Sequence, residues 1–384
     1  MSTPMRPLRV LLCPDSFKGS LDAVLVAEAM AAGVRQVCPG AEVACLPLAD
    51  GGEGSLQVLA QVLGGPQYRV PVVDACGQPW EAPLLWLSER HALLEVATVV
   101  GLAQAGDTDP MQRSSAGVGL LIRQALDAGA THISVALGGS SVNDGGLGLL
   151  VALGAQLTPR AAAAWPTAQD LLSLQTLDTR SLDPRLAQLT LTLLSDVDNP
   201  LCGPQGATRV FARQKGFEPA QQEALEAAMC HWVTLGDAWA GWSASAATGS
   251  GAAGGIGYAL RLLGARQQSG ADWMLQQLGA EAKLAWADWV VTGEGRSDLQ
   301  TLGGKLPWRV AVWAQRQPVP VSLLSGGIDP AAREALQARF QGCFSIADGP
   351  ADLSAMQAAT PRLLQQAAAS MTQLFCAGWR PPQP

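Results

Sequence analysis

Along this chain, short apolar runs break off abruptly into polar, glycine-bearing loops, and most of those loops lead into a stretch whose apolar residues recur at helical spacing. "LRVLLC" runs into "PDSFKGS", and "LDAVLVAEAMAAGVRQV" follows, with Ser20 placed to cap the helix it predicts. "EVACLPL" leads into "ADGGEG" and the helix-like "SLQVLAQVLG". The rhythm returns in "HISVAL" before "GGSSVNDGG", "LTLTLL" before "SDVDNPLCG", "ADWVV" before "TGEGRSD" and "PVSLL" before "SGGID". Strands alternating with helices predict an α/β protein with a mostly parallel sheet, in which ligands sit outside the carboxyl ends of the strands. The polar loops fall at those ends. Between about Val70 and Glu95 the pattern changes, because "YRVPVV", "EAPLLWL" and "HALLEV" follow one another across the short breaks "DACGQP" and "SER". This predicts a β-meander and marks a candidate change of domain.

The chain has 384 residues, beyond the roughly 250–300 at which a single core stops growing, so two domains are expected. Hydrophobic residues make up 48% and charged ones 15%, which fits a packed protein rather than a disordered one. The net charge of −7 supplies no excess of Lys and Arg to neutralise phosphates, so nucleic acid and anionic membrane surfaces are not expected partners. The eight cysteines contain no C-x-x-C pair and read as reduced thiols of a cytoplasmic protein. The first apolar run is cut off by Pro14 and Asp15, too early for a signal peptide, and no run approaches the roughly 18 residues of a membrane span. The tail "RPPQP" reads as frayed, and a homo-oligomer is left open.

The loops carry the candidate chemistry. "DSFKGS" sets Asp15, Ser16 and Lys18 between a strand and a helix N-terminus, where backbone N–H groups and the helix dipole favour an anion; a capped helix entry with a solvated lysine is the plainer alternative. "ADGGEG" places Asp50 and Glu53 around Gly51 and Gly52, suited to Mg²⁺ or to polyol hydroxyls, or to an ordinary glycine turn. In "TGEGRSD", Arg296 can grip a phosphate while Glu294 or Asp298 holds a metal or a ribose, and Lys305 follows in "LGGKLP"; a surface ion pair would use the same residues. "SDVDNPLCG" offers Asp196, Asp198 and Asn199, an aspartate there being fit to orient an attacking hydroxyl, although Asp and Asn before Pro also make turns. "GSGAAG" matches G-x-G-x-x-G, but no β-like run precedes it, so an anion nest or an interdomain loop is expected in place of a nicotinamide site. The three histidines show no metal-ligand spacing and no G-x-S-x-G occurs. An inventory of carboxylates, amides, lysines and arginines suits phosphoryl transfer.

Taken in order, "PDSFKGSL", "ADGGEG", "GGSSVNDGG", "SDVDNPLCG", "GATRVFARQKG", "GAAGGIG", "TGEGRSD" and "GKLP" resemble the bacterial glycerate kinase family over nearly the whole chain, from about Arg9 to Phe375. The resemblance implies an ATP- and Mg²⁺-dependent kinase of D-glycerate giving 2-phosphoglycerate. It also implies two α/β domains, a discontinuous three-layer parallel-sheet domain from both chain ends and an inserted one, with the active site in the cleft between them. The meander and "ADWVV" suggest crossings that leave residues 1–88 and 286–384 in the first domain and 89–285 in the second. Carried over by motif, Asp196, Lys18 and Arg296 would be catalytic. Asp196 would orient or deprotonate the hydroxyl, and the two cations would neutralise the phosphoryl group or the substrate carboxylate. Asp15, Ser16, Asp50, Gly51, Gly52, Glu53, Gly138, Gly139, Ser140, Asn143, Asp144, Asn199, Glu294 and Lys305 would bind substrate or phosphate, and Asp298 would be a Mg²⁺ ligand.

Two departures stand out: "GVGLLI" where the family commonly reads "GTGELI", and Val142 in place of a threonine in "GGSSVNDGG". Neither removes an acid–base candidate. Alternatives to be separated are a kinase giving 3-phosphoglycerate, a non-catalytic ligand-binding protein on the same fold, and a nicotinamide-dependent dehydrogenase.

Overall fold

The computed structural model describes residues 6–379; the tail "RPPQP" lies outside them. In chain order the strands are β1 (Arg9–Pro14), β2 (Glu42–Cys45), β3 (Gln67–Val73), β4 (Pro79–Ser88), β5 (His91–Glu95), β6 (His132–Ala136), β7 (Gln156–Thr158), β8 (Thr176–Asp178), β9 (Thr190–Leu194), β10 (Arg266–Gln268), β11 (Trp289–Ser297), β12 (Val321–Ile328) and β13 (Gly342–Ser345). They fall into two compact units, Met1–Asp50 with Ala271–Pro384, and Gly51–Gly270. The crossings therefore lie at Asp50/Gly51 and Gly270/Ala271, earlier than the expected 88/89 and 285/286. The reason is sheet pairing: β3, β4 and β5 form the predicted meander, and β5 then continues in parallel beside β6, which commits all three to the second unit's sheet.

The first unit is built on a five-stranded sheet of order β13-β12-β11-β1-β2, parallel throughout. Its strands are near-continuous apolar runs because helices cover them. Val10, Leu12, Trp289, Val291 and Leu324 pack with Val26, Met30 and Val34 of the helix Ala23–Val37 and with Leu363, Leu364 and Met371 of the helix Leu353–Gly378. Each such buried side chain contributes about 1.5–3 kcal/mol of transfer free energy. From β1 the chain moves to β2 on one side, and from β11 to β12 on the other. The strand order reverses between β1 and β11, and at such a switch point the loops part and leave a crevice.

The second unit holds a six-stranded sheet, β10-β9-β6-β5-β4-β3, parallel from β10 to β5 and antiparallel beyond, plus the small hairpin β7-β8. Leu84, Leu94, Leu121, Ile133, Val135, Leu193, Trp232 and Tyr258 lie in its core. The carboxyl ends of β6 and β9 carry "GGSSVNDGG" and "SDVDNPLCG". Among the described residues no helix is long and apolar enough to cross a membrane.

Two local expectations change. The helix Ala23–Val37 is capped by Asp22, whose carboxylate accepts the Leu25 N–H at 2.9 Å, whereas the Ser20 hydroxyl donates to the Gln357 carbonyl at 2.8 Å. One of the N–H groups expected to favour an anion at that N-terminus is thus taken by a side chain. "TGEGRS" and "SGGI", expected as loops, continue β11 and β12, with Glu294 opposite Ser325 and Arg296 opposite Gly327. Small residues on both strands let the ladder run on.

Candidate functional site

In the first unit the ends of β1, β11 and β12 and the start of the helix Leu353–Gly378 border a cavity of about 730 Å³. Asp15, Ser16, Lys18, Asp50, Glu294, Arg296 and Lys305 all line it. The Asp15 N–H donates to the Gly293 carbonyl at 2.8 Å, which ties the first loop to β11, and the Ser16 N–H donates to the Asp15 carboxylate at 2.6 Å. Desolvation and then the neighbouring charge of Asp50 raise the Asp15 carboxyl well above the ordinary carboxylate range, with Glu294 adding to the effect and Lys18 opposing it.

Glu294 is buried, and burial raises its carboxyl too. The Thr301 hydroxyl at 2.7 Å and the Ser297 hydroxyl at 2.8 Å both donate to its Oε1, while Lys305 Nζ stands 4.0 Å from Oε2. One oxygen is fixed from beneath and the other faces a cation. Lys305 also lies 3.6 Å from Asp298. Arg296 is exposed and bonds Asp329 at 3.0 Å. Lys18 is exposed and has no ion-pair partner among the described residues. Asp298 does not line the cavity: its carboxylate caps the helix Leu299–Leu302 by accepting the Gln300 N–H at 2.9 Å. Asp15, Asp50, Glu294 and Asp329 are the carboxylates that line the cavity, and Asp298, expected as a Mg²⁺ ligand, stands beside Lys305.

In the second unit the glycine-rich loops behave differently. Asp144, expected to meet a ligand, is fully buried and accepts from the Ser115 N–H (2.8 Å), the Ser115 hydroxyl (2.7 Å) and the N–H groups of Gly146 and Gly148 (3.1 Å each). Four donors saturate the carboxylate and fix the loop around it. Asn143 is equally buried and donates to the Thr208 hydroxyl at 3.1 Å. Ser140 accepts from Lys215 Nζ at 3.0 Å, and that ammonium also donates to the Val142 carbonyl at 2.6 Å. Burial pushes the Lys215 ammonium down to about 7, with Asp144 opposing and Arg113 assisting. Arg113 is buried beside it and donates from its two terminal nitrogens to the carbonyls of Thr108, Ser141 and Lys215.

Gly138 is required by close approach, since a Cβ there would stand 2.5 Å from the Gly52 Cα. The two glycine loops of this unit touch backbone to backbone. Beside them Gly51 is buried, Gly139 exposed and Glu53 exposed, the last lining a second cavity of about 460 Å³ with Glu95. Glu95 accepts the N–H groups of Gly54 at 3.0 Å and Leu56 at 2.9 Å, holding "ADGGEG" and the start of the helix Ser55–Leu63. Desolvation pushes the Glu95 carboxyl up to about 7, with the Glu53 charge contributing.

Asp196 is half-buried at the end of β9, where Gln267 Nε2 donates to the carbonyls of Ser195 (3.1 Å) and Val197 (3.3 Å) on either side of it. Asn199 is committed through its side chain to the Gln205 carbonyl at 2.7 Å. "GSGAAG" is largely buried inside this unit and bridges the two loops: the Gly251 N–H donates to the Asn199 carbonyl at 2.9 Å and the Gly254 carbonyl accepts from the Gly145 N–H at 3.0 Å. It is neither an interdomain loop nor preceded by a strand. The departures Val118 and Val142 are buried apolar residues, with Leu120 packed against the same core.

Sequence reasoning missed Glu95, Lys215, Arg113 and Asp329. Lys215 sits inside the quoted "GATRVFARQKG" and Glu95 ends the apolar "HALLEV", but nothing in a string tells a buried charge from a solvated one.

The comparisons with known proteins agree across nearly the full length. The sequence model described as "Glycerate kinase family" matches residues 10–376. A glycerate kinase of Bacillus subtilis (strain 168) is 37% identical over 351 residues, 90% of this chain and 92% of that protein. A glycerate 2-kinase of Escherichia coli (strain K12) is 34% identical over 344 residues, 88% and 90% of the two chains. The crystal structure of a protein assigned as glycerate kinase 2 from Salmonella typhimurium LT2 superposes with a TM-score of 0.81 at 36% identity, covering 97% of this chain and 99% of that one.

Proposed function

The chain belongs to the glycerate kinase family and is a kinase, and from that premise we propose that it transfers the γ-phosphoryl group of ATP, with Mg²⁺, to the 2-hydroxyl of D-glycerate. The hydroxyl oxygen bonds to the γ-phosphorus, the bond from that phosphorus to the β,γ-bridging oxygen breaks, ADP leaves and the hydroxyl proton passes to Asp196. The product is 2-phosphoglycerate, and the name of the Escherichia coli relative favours that hydroxyl.

The observation that carries the reading is the cavity at the switch between β1 and β11, where carboxylates and cations converge at strand ends. Phosphoryl transfer asks a protein for positioning and charge stabilisation, which these residues can supply. Their chemistry fits a divalent cation: the charges of Asp50 and Glu294 bear on Asp15, and a bound ion relieves that repulsion. These three would hold Mg²⁺, which when bound neutralises phosphate oxygens and the charge that develops on transfer. Lys18 and Arg296 neutralise the rest, Arg296 being held by Asp329. Ser16 and Lys305 in the first unit, and Gly51, Gly52, Glu53, Gly138 and Gly139 in the second, are proposed to position substrate or phosphate, each at the strand ends of its own unit.

Purified protein incubated with ATP, Mg²⁺ and D-glycerate is expected to release ADP and to give 2-phosphoglycerate by phosphorus NMR. Absence of turnover with D-glycerate and related hydroxy acids overturns the enzyme reading. A 3-phosphoglycerate signal corrects the hydroxyl.

A further inference from the structure

"SDVDNPLCG" ends in a cysteine that phosphoryl transfer does not use. Cys202 lies against the helix Pro219–Ala240, where Glu226 and Cys230 are four residues apart and so share one face. The two sulfurs and a Glu226 carboxylate oxygen all fall within 4.8 Å of one another. Glu226 is only 7% exposed, yet its Oε2 has no hydrogen-bond partner among the described residues. Its other oxygen is fixed by the Gly203 N–H at 2.7 Å. Gly203 has φ of +93°, a left-handed turn that delivers that N–H beside Cys202.

A buried carboxylate oxygen without a donor is costly, and among the described residues no ion pair forms to Glu226. Arg209, whose charge reaches this cluster, spends its guanidinium on both oxygens of Glu223. Burial, then the neighbouring Cys230 thiol, Glu226 and Asp237, push the Cys202 thiol well up. Asp237 is engaged elsewhere, accepting from Ser245 and Tyr258. Cys230 is exposed and Cys202 half-buried, which leaves an approach from solvent.

We propose that Cys202, Glu226 and Cys230 form a zinc-binding site on the second unit, with a fourth position open to water. Two thiolates and one monodentate carboxylate suit a borderline-soft tetrahedral ion, whereas Mg²⁺ and Ca²⁺ take oxygen ligands throughout. The hydrogen bond from Gly203 to Glu226 is the outer contact that orients a metal-binding carboxylate. Two thiols give up protons as the ion binds. Zinc would clamp the loop that begins at Asp196 onto the helix Pro219–Ala240, so the ion fixes the segment carrying the proposed base.

The full chain, reduced and stripped with chelator, is titrated with Co²⁺ as the spectroscopic probe and then with Zn²⁺. One equivalent of Co²⁺ is expected to bind with sulfur-to-metal charge-transfer absorption and tetrahedral ligand-field bands, and Zn²⁺ to displace it. Cys202→Ser or Cys230→Ser should about halve the charge-transfer intensity. Glu226→Gln keeps an acceptor for the Gly203 N–H, so it preserves the fold, and it should weaken binding at least about tenfold, the lower end even for an outer contact. Circular dichroism of each variant separates loss of a ligand from loss of folding. Absence of sulfur charge transfer, full intensity in the doubly substituted cysteine variant, or wild-type affinity in Glu226→Gln overturns the proposal. So does a Cys202–Cys230 disulfide in protein that takes up no metal once reduced.

Discussion

The loops at the strand ends of the two units are written in the same glycine, serine and aspartate vocabulary, but they spend it in opposite ways. In the first unit Asp15, Asp50 and Glu294 face a cavity and crowd one another. In the second, Asp144 and Ser140 are buried and their hydrogen bonds close within the unit, and buried Asn143 donates to Thr208 while its Oδ1 has no partner among the described residues. A carboxylate surrounded by donors is a structural pin; a carboxylate beside other carboxylates is a site waiting for a cation. The contrast shows that a ligand-like motif identifies a place in the fold before it identifies a contact.

The contrast can be broken most severely at Asp144. Asp144→Ala orphans four buried donors at about 1 kcal/mol or more each, so the unfolding free energy should fall by roughly 4 kcal/mol. Denaturant unfolding measures it, and a loss below about 1 kcal/mol would return Asp144 to the ligand-facing set. Asp196→Asn should lower kcat at least about 10²-fold, the lower end for a general base; a near-wild-type rate removes it from that role.

Asp15→Asn relieves like-charge crowding, so the unfolding midpoint should hold or rise while kcat drops by about tenfold or more. A drop in stability with kcat unchanged would make Asp15 a pin like Asp144. The smallest effects concern pH. Glu95, raised from 4.5 to about 7, keeps its proton in the folded chain when the unfolded chain has lost it. Its contribution to stability therefore falls as pH rises through that window. Lys215, lowered from 10.5 to about 7, is neutral in the folded chain where the unfolded chain is charged, so its contribution rises with pH from about 7 to 10.5. Glu95→Gln should flatten the falling branch and Lys215→Met the rising one in unfolding measured across pH; unchanged slopes would show that neither group is held as buried as its surroundings imply.

Much of the architecture could be read in advance. The alternation of apolar runs with helix-period segments foretold the parallel sheets, and the shift of period near Val70 foretold β3, β4 and β5. The domain crossings were misplaced because a strand's sheet is chosen by its neighbour. β5 belongs with β6, a partner about 40 residues away in sequence. The cap of the first helix was misread by two residues, since Ser20 and Asp22 are equally good caps until tertiary packing gives the Ser20 hydroxyl to Gln357.

The sequence by itself determined which residues stand at strand ends, because periodicity and glycine punctuation are local properties of the chain. Only the tertiary structure decided which of those residues are exposed to a cavity and which are saturated, because burial and hydrogen-bond partners come from segments distant in sequence. Glu294 meets Lys305 across a cavity, while Asp144 meets Ser115 in a core.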